Sequence, residues 1–402
     1  MNSFFKRIIA ILATVAIFIT GMGTMVFAES VSTTADAIRF GKDGKLRIMH
    51  VTDTHLSMDN LNDSVWLIGK ACDKEKPNII VLTGDIAMSD SVEETYYKID
   101  KLMKVFEDRK IPVAVTFGNH DSENGVATRE ELMAYFNRYD CSISIDDGEL
   151  LTGCGTYNVP VLGSNDNNLK FNLWVFDSGD YDNEDHYANV AEDQVKWYIE
   201  KSKAMEKLAG KKVNSLAFQH IIVPEVYSAL KQVKRNGAFT YSRIYFENEY
   251  YQFDPSVKNY GKFHETPCCG YYNHGQFDAM VERGDVLAIF TGHDHTNAFG
   301  VRYKNIDIVN SLSTRYNGET FSTQYGYRMI EVDENNTDVY TSKVVHWYDF
   351  FNKSDMKVLR QNNDNVNLAV KIRFLGFFEK FLENISVFFV EAFTGRTVKY
   401  PD

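Results

Sequence analysis

The sequence predicts an α/β fold, and two features of the region between Lys45 and His346 lead to this prediction. First, short apolar runs rich in valine and isoleucine alternate with loops of Gly, Asp, Asn and His, and stretches with helical periodicity often follow those loops. Second, the runs are apolar almost throughout, which is typical of strands that are buried on both faces of a sheet. With 402 residues, 44% of them hydrophobic, the chain can build a sizeable core.

The principal strands are predicted from five apolar runs, at residues 46–51, 79–82, 113–117, 213–218 and 286–290. Helical periodicity predicts helices over residues 62–74, 92–109, 129–139 and 191–208. Further strand-like runs predict a second sheet, and they cover residues 171–176, 306–309, 327–332 and 339–347.

The first 28 residues have the pattern of a secretory signal peptide. Lys6 and Arg7 precede an apolar run over residues 8–20, and residues 26–28 (VFA) offer a cleavage site. Cleavage there leaves a mature chain that starts at Glu29. The alternative is an uncleaved anchor, because the apolar character continues to residue 27, close to the ~20 residues that cross a bilayer. Both interpretations place the protein outside the cytoplasm, secreted in the first case and membrane-associated in the second.

The charge balance narrows the class of partner. Acidic residues outnumber basic ones by 55 to 43, which gives a net charge of −12. Non-specific binding of nucleic acid depends mostly on Lys and Arg, so this balance disfavours nucleic acid as a partner. A small phosphorylated substrate held by local positive charge remains compatible with it. The five cysteines contain no CxxC pair, so the sequence gives no support for a zinc ribbon.

Residues 224–275 form a long excursion between two predicted core strands, and they carry 8 of the 23 tyrosines. Long loops in compact domains are usually functional or disordered, and so many aromatic residues argue against disorder. Two interpretations remain open. The excursion is either a wall over the active site or a structural flap that buries its rings against the sheet.

The C-terminal region predicts an amphipathic helix, because apolar residues recur there at three- and four-residue spacing. The stripe consists of Val370, Phe374, Phe377, Phe381, Ile385, Phe388 and Ala392. Packing onto the rest of the protein and lying on a membrane surface are the two alternatives. Nearby glutamates offset the lysines and arginines of this segment, so weak attraction to anionic lipid is expected.

All five principal runs lead into residues that can bind a metal ion. These are Asp53-Thr54-His55, Gly84-Asp85, Gly118-Asn119-His120-Asp121, Gln219-His220 and Gly292-His293-Asp294-His295. Ligands gather at the carboxyl ends of strands in open α/β sheets, so these loops are expected to meet. Five of the ten histidines lie in them, which favours a joint role over five separate structural ones.

The donors divide into two sets that share one carboxylate. Asp53 and His55 are two residues apart, so in extended chain both side chains leave the same face. Asp85 is the single donor of its loop, and its two oxygens can bridge two ions. One ion is predicted to bind Asp53, His55, Asp85 and His295, and the other Asp85, Asn119, His220 and His293. Histidine and carboxylate ligands without thiolate suit Mn, Fe, Zn, Co or Ni.

The ordered strings VTDTHL, LTGDIA, FGNHD, QHIIVP and TGHDHTN resemble the five motifs of calcineurin-like metallophosphoesterases. The resemblance spans residues 46–297. The GHDHTN string and the text around Asn273 and Phe277 are similar to the Dcr2-type, purple-acid-phosphatase-related branch. The resemblance implies a four-layer αββα sandwich with two metal ions at the sheet edge. Residues 29–350 are then the predicted catalytic domain, and residues 351–402 are a tail with the amphipathic helix.

The sequence departs from the purple acid phosphatases at one position. Those enzymes have a metal-ligating tyrosine three residues after the bridging aspartate, where this chain has Met88, and His55 fills the alternative place. We therefore expect no tyrosinate-to-iron charge-transfer colour, so an iron-loaded, oxidised sample that is purple would contradict the ligand set.

The predicted reaction is hydrolysis of a phosphate ester, preferably a monoester, by a hydroxide that bridges the two ions. His120 and Asp121 are the candidate catalytic residues: His120 stabilises the phosphoryl group or protonates the leaving oxygen, and Asp121 orients its ring. One alternative is a phosphodiesterase or nuclease. Another, of a different class, is a non-catalytic scaffold that binds a partner.

Overall fold

The computed structural model describes residues 35–394, except for 88, 124, 146–150, 235–236, 238 and 317–321. All of them belong to the second of two compact units in the chain, Thr33–Asp402. The predicted signal segment, residues 1–28, and Met88 therefore lie outside the described residues, and the predictions made for them stay predictions.

The described strands are, in chain order, β1 (Ile38–Arg39), β2 (Lys45–Val51), β3 (Ile79–Thr83), β4 (Val113–Thr116), β5 (Tyr157–Leu162), β6 (Leu169–Val175), β7 (Ser215–Phe218), β8 (Leu230–Val233), β9 (Tyr241–Ser242), β10 (Tyr250–Phe253), β11 (Asn259–Lys262), β12 (Val286–Thr291), β13 (Ala298–Tyr303), β14 (Ile306–Asn310), β15 (Gly326–Asp333) and β16 (Asn336–His346). The described α-helices are α1 (Leu61–Glu75), α2 (Val92–Glu107), α3 (Arg129–Phe136), α4 (Glu192–Ala209), α5 (Gln276–Arg283), α6 (Trp347–Phe350), α7 (Lys353–Asn362) and α8 (Val366–Thr394).

Two sheets form the centre of the molecule. The first has five strands in the order β16-β15-β2-β3-β4, with β2, β3 and β4 parallel and β15 and β16 antiparallel. The second has eight strands in the order β1-β5-β6-β7-β12-β14-β13-β11, and β6, β7, β12 and β14 run parallel to one another. A second sheet is present as predicted, but the further strand-like runs do not form it by themselves. Strands β6 and β14 lie in the eight-stranded sheet, and β15 and β16 lie in the five-stranded one. Strand β5 was not predicted from the sequence, and it contains Pro160, a residue that is uncommon inside strands.

Side chains from both sheets share one hydrophobic core. Leu46, Ile48 and Val81 of the five-stranded sheet lie in the same buried cluster as Val159 and Leu173 of the eight-stranded sheet. This is why the strands are apolar on both faces: one face of each sheet meets the other sheet, and the opposite face meets helices.

Helices cover the outer face of each sheet. Helices α1, α2 and α3 contribute to a buried cluster with the five-stranded sheet. On the other side, Trp197 and Tyr198 of α4 lie edge-on to Trp174 of β6, with ring centroids 5.7 and 5.0 Å apart. The order helices, sheet, sheet, helices is a four-layer αββα sandwich, so the predicted fold class is confirmed.

The C-terminal helices rest on the first of these helical layers. Met356 and Leu359 of α7 and Leu368, Ala369 and Ile372 of α8 lie in the same cluster as α1 and α2. The contact of α8 with α6 is close, because a Cβ at Gly376 would collide with the Cβ of Tyr348. Within the described residues, every helix is too short or too polar to cross a lipid bilayer.

One of the two interpretations of the predicted apolar stripe required it to pack onto the rest of the protein. In the structure the stripe faces away from the body instead. We call the exposed apolar side chains of this helix the α8 strip; they are Val370, Phe374, Phe377, Phe378, Phe381, Leu382, Ile385, Phe388, Phe389 and Phe393. The helix is attached through its other face, where Leu368, Ile372 and Gly376 lie.

Candidate metal centre

The five donor-bearing loops converge at one edge of the sandwich. They follow β2, β3 and β4 in one sheet and β7 and β12 in the other, so the carboxyl ends of parallel strands from both sheets meet there. The backbone joins the loops directly: the N–H of Asp53 donates to the carbonyl of Gly84 at 3.0 Å, and the N–H of Gly292 donates to that of His220 at 3.0 Å.

The first predicted set of donors lies together. Asp53, His55, Asp85 and His295 each offer one atom, and these atoms all lie within 4.8 Å of one another. The Nε2 atoms of His55 and His295 are 2.9 Å apart, and His295 Nε2 is 3.5 Å from Asp53 Oδ1. Ligand atoms around one tetrahedral ion lie about 3.4 Å apart, since metal–ligand bonds are about 2.1 Å long. The spacing therefore suits a single ion.

The second set adjoins the first through Asp85. Donor atoms of Asp85, His220 and His293 also lie within 4.8 Å of one another. His220 Nε2 is 3.3 Å from Asp85 Oδ2 and 3.2 Å from Asn119 Oδ1, which brings the predicted amide ligand to the same place. The structure thus gathers all seven predicted donors around two adjacent positions, with Asp85 between them.

Two buried donor atoms support metal binding independently of spacing. Asp85 Oδ2 and His293 Nε2 are buried and make no hydrogen bond within the described residues. Buried polar atoms without a partner are rare and costly in folded proteins. Metal coordination is the interaction that would satisfy both atoms, so the residues present fit a two-metal centre.

Burial and charge act against each other in this centre. Burial lowers the pKa of His220, but the carboxylates of Asp85 and Asp53 outweigh it and raise that pKa to about 9. Burial likewise lowers the pKa of His295, and its hydrogen bond to Asp53 together with the charge of that carboxylate raises it to about 9. At His293 burial, followed by the charge of His220, lowers the pKa to about 3. The carboxylates of Asp53 and Asp85 therefore favour a positive charge beside them, as residues that bind a metal cation do.

Four donor residues adopt a left-handed backbone conformation that non-glycine residues seldom occupy. The φ angles are 50° at Asp53, 38° at His55, 51° at Asp85 and 70° at His293. Such backbone strain gathers at functional sites, where it sets the direction of side chains. No pattern in the sequence predicts it at these four residues.

Two glycines allow the donor loops to approach one another. A Cβ at Gly118 would collide with Asp85 Oδ1, and a Cβ at Gly292 would collide with Thr52 Oγ1 and Asp53 Oδ2. Glycine has no Cβ, so at these two positions the backbone of one loop can lie against the donors of another.

His120 lies at the rim of the centre with its side chain partly exposed, and its ring centroid is 5.8 Å from that of His55. Its backbone N–H donates to Asp85 Oδ1 at 2.9 Å, and its Nδ1 contacts a carboxylate oxygen of Glu123. The prediction that Asp121 orients this ring is therefore wrong. Asp121 instead accepts the backbone N–H groups of Asp85, Ile86 and Gly118 at 2.8–2.9 Å, because its side chain points back into the loop junction.

A buried ion pair that the sequence analysis missed supports the Asn119 loop. Arg129, the first residue of α3, pairs through Nη1 with Asp177 and donates through Nη2 to the carbonyl of Gly118 at 2.9 Å. A capping box of Thr128 and Glu131 fixes the start of α3 and so places this arginine. Asp177 follows the predicted strand at 171–176, so the rule that identified the metal donors would also have identified it.

Aromatic side chains line one side of the centre, and both interpretations of residues 224–275 have a counterpart in the structure. Tyr187 lies edge-on to His293 at a centroid distance of 4.4 Å, and its backbone N–H donates to Tyr245 Oη at 2.7 Å. Tyr181 Oη accepts from Asn119 Nδ2 at 3.0 Å. Both of these wall tyrosines precede the excursion, which supports the wall through the contact of Tyr245 with Tyr187. Elsewhere the excursion packs as a flap against the sheet, since the ring centroid of Phe253 lies 5.8 Å from that of Phe299 in β13.

Comparison with known proteins places these observations in a family. The profile of the calcineurin-like phosphoesterases matches residues 46–297, which contain all the predicted donors. Probable inactive purple acid phosphatase 29 of Arabidopsis thaliana is 26% identical over 306 residues, which cover 67% of this chain and 72% of the plant protein. Phosphatase DCR2 of Saccharomyces cerevisiae is 25% identical over 346 residues, covering 78% of this chain and 56% of the yeast protein.

Among solved structures, a dimetal phosphatase from Danio rerio aligns with a TM-score of 0.45 and 13% identity, covering 75% of this chain and 98% of the fish protein. The resemblance noted in the sequence motifs is confirmed by the family match, which spans more than half of the residues. The chain belongs to the calcineurin-like phosphoesterase family.

Proposed function

We propose that this protein is a phosphomonoesterase that works with two metal ions. The observation that carries the proposal is the convergence of seven buried or partly buried donors into two sets that share Asp85. One ion would be held by Asp53, His55, Asp85 and His295, and the other by Asp85, Asn119, His220 and His293. Bound ions of this kind supply Lewis-acid polarisation of the phosphoryl oxygens and activation of water as the nucleophile.

The chain's own residues orient the site and supply a proton. Asp121 and Arg129 fix the loops that present Asp85 and Asn119, since each bonds the backbone of those loops. The imidazole of His120 is held at the rim by Glu123 through Nδ1, so Nε2 is the atom that would protonate the leaving oxygen. The aromatic side chains of Tyr181 and Tyr187 restrict access from one side.

The preference for a monoester rests on positive charge next to the donors. A monoester carries one more negative charge than a diester near neutral pH. Arg315 lies close enough for its charge to contribute to lowering the pKa of His55, after the larger effect of burial. Its guanidinium can balance the second phosphate charge.

A substrate comparison tests this preference. The chain from Glu29 is supplied with Mn, Fe, Zn, Co or Ni in turn, and hydrolysis of p-nitrophenyl phosphate and of bis(p-nitrophenyl) phosphate is measured. We expect faster turnover of the monoester. Faster turnover of the diester would instead favour the phosphodiesterase alternative.

The alternative function is that of a non-catalytic scaffold, and the plant relative is itself called a probable inactive phosphatase. In this chain the donors are present and lie together, which supports catalysis. A complete lack of hydrolysis with every metal, in a sample that binds two ions per chain, would contradict the proposed activity and favour a binding role.

Replacing His120 with alanine is expected to slow hydrolysis of an alkyl monoester such as glycerol phosphate by roughly 100-fold or more, since a positioned general acid contributes 10²–10⁴-fold. The effect on p-nitrophenyl phosphate should be much smaller, because its leaving group needs no proton near neutral pH. Steady-state kinetics on both substrates measure this difference. Replacing the exposed His274 with alanine is the matched control. Equal losses on the two substrates would rule out the acid role.

Replacing Glu123 with glutamine tests the corrected partner of His120. The substitution keeps the size of the side chain and removes the charge that contacts Nδ1. We expect it to lower turnover of the alkyl monoester less than His120→Ala does and to leave metal content unchanged. If Glu123→Gln had no effect while Asp121→Asn lost only the alkyl activity, the sequence prediction for Asp121 would be restored.

A further inference from the structure

We propose that helices α7 and α8 form a docking surface for an anionic phospholipid membrane, with the α8 strip inserted among the lipids and the cations of α7 at the headgroups. The surface lies outside the metal centre, and the proposal does not depend on the proposed phosphoesterase activity.

The α8 strip is apolar and faces solvent. Phe374, Phe377 and Phe393 are 69%, 75% and 83% exposed, and the strip runs from residue 370 to residue 393. At 1.5 Å per residue this is about 35 Å of helix. Soluble monomers rarely expose a contiguous apolar surface of this kind, so it indicates an interaction site.

The helix is held in the orientation that turns the strip outward. On its opposite face Gly376 packs against Tyr348, Glu379 accepts the backbone N–H of Thr323 at 3.0 Å, and Glu383 pairs with Lys262 at 2.8 Å. These contacts place Glu379 and Glu383 toward the body. The outward face is therefore free of their negative charge.

Helix α7 adds positive charge beside the α8 strip. The sequence prediction for the tail considered only the charges of α8. A groove of about 750 Å³ between the two helices is lined by Lys353, Lys357 and Arg360 of α7 and by Arg373, Phe374 and Phe377 of α8. No carboxylate is among the described residues that line it. Asp355 of α7 points the other way and pairs with Lys74 of α1 at 3.2 Å.

These four cations are exposed and make no ion pair within the described part of the chain. They stand out in a protein whose net charge is −12. Unpaired cations that flank an exposed phenylalanine strip complement a surface with negative headgroups over an apolar interior. A protein partner would have to offer a long apolar face with an acidic edge to complement both, whereas an anionic bilayer offers this combination over its whole surface. The expectation of weak attraction to anionic lipid, drawn from α8 alone, is replaced by this arrangement.

Vesicle co-sedimentation tests the proposal with the chain from Glu29, since Thr33–Asp402 is a compact unit of its own. Vesicles of phosphatidylcholine with phosphatidylglycerol are compared with phosphatidylcholine alone, at low and high salt. We expect binding to the anionic vesicles that falls with added salt. Failure of the wild-type chain to sediment with them would overturn the proposal.

Two variants separate the apolar and the charged contributions. Phe374→Ser combined with Phe377→Ser and Phe381→Ser is expected to lower vesicle partitioning by at least about tenfold. Lys353→Glu combined with Lys357→Glu and Arg360→Glu is expected to lower partitioning to anionic vesicles by about 100-fold, with little change on neutral ones. Both should keep the circular dichroism spectrum and the unfolding temperature of the wild-type chain, which shows that they fold.

Matched controls change similar residues on other surfaces. Leu208→Ser removes an apolar side chain that is 69% exposed on α4, and Lys203→Glu with Lys211→Glu reverses charges on exposed lysines near it. These variants should bind vesicles as the wild-type chain does. If they lost as much binding as the α7 and α8 variants, or if the phenylalanine variant dissociated a dimer in light scattering while no variant bound vesicles, the lipid assignment would be wrong.

Discussion

Replacing Asp85 with asparagine is expected to remove both metal ions and to lower kcat/KM by at least about 100-fold, since loss of a residue that merely orients a metal ligand already costs 10–100-fold. Asp85 lies between the two donor sets: its Oδ2 is 3.3 Å from His220 Nε2 and 3.6 Å from His55 Nε2. The amide keeps the shape of the side chain and removes the negative charge that a bridging ligand brings to both ions. Metal content per chain after equilibrium dialysis, together with steady-state kinetics, measures the effect.

Two further variants make this result specific. Asp53→Asn affects a residue of one donor set, so it should lower the content by one ion and retain the other. Asp278→Asn alters an exposed aspartate that pairs with Lys304 on the surface, and it should bind metal and turn over substrate normally. Retention of two ions by the Asp85 variant would show that this carboxylate is not shared.

Replacing Arg129 with alanine is expected to lower the free energy of unfolding by about 3–5 kcal/mol, the usual cost of breaking a buried ion pair by removing one partner. Asp177 is fully buried, and the backbone N–H groups of Cys154 and Gly179 also donate to it, so its charge cannot reach water when the guanidinium is lost. The same substitution removes the hydrogen bond to the carbonyl of Gly118, which precedes Asn119. Urea unfolding measures the stability.

Arg138→Ala is the matched control, because Arg138 follows the same helix, is exposed and stacks only on Tyr135. It should change the stability by less than about 0.5 kcal/mol, as surface substitutions usually do. The double variant Arg129→Met with Asp177→Leu should recover part of the lost stability, since it leaves no buried charge. An Arg129→Ala variant as stable as the wild-type chain would mean that the pair is accessible to water.

Much of the fold could be predicted from the sequence, because local patterns identify buried strands well. The runs at 46–51, 79–82 and 286–290 agree with β2, β3 and β12 to within one residue at each end. Strand β5 and the three-stranded sheet of β8, β9 and β10 were not found, since their residues lack continuous apolar runs. β5 pairs with β6, and β8 and β9 pair with β10, all close by in the chain. Packing against these cross-strand neighbours stabilises the strands, and an apolar run is not needed for it.

The residue pattern by itself predicted the α/β class and the seven candidate metal donors, because the end of a buried strand is marked by a change from apolar to polar residues within a few positions. The four-layer arrangement was implied only by the resemblance of the motifs to a known family. Only the tertiary structure decided which carboxylate meets His120, which buried arginine supports Asn119, and which way the α8 strip faces. The first depends on the direction of side chains within one loop, and the other two depend on contacts between different elements of the fold. Such contacts leave no periodic signal in the sequence.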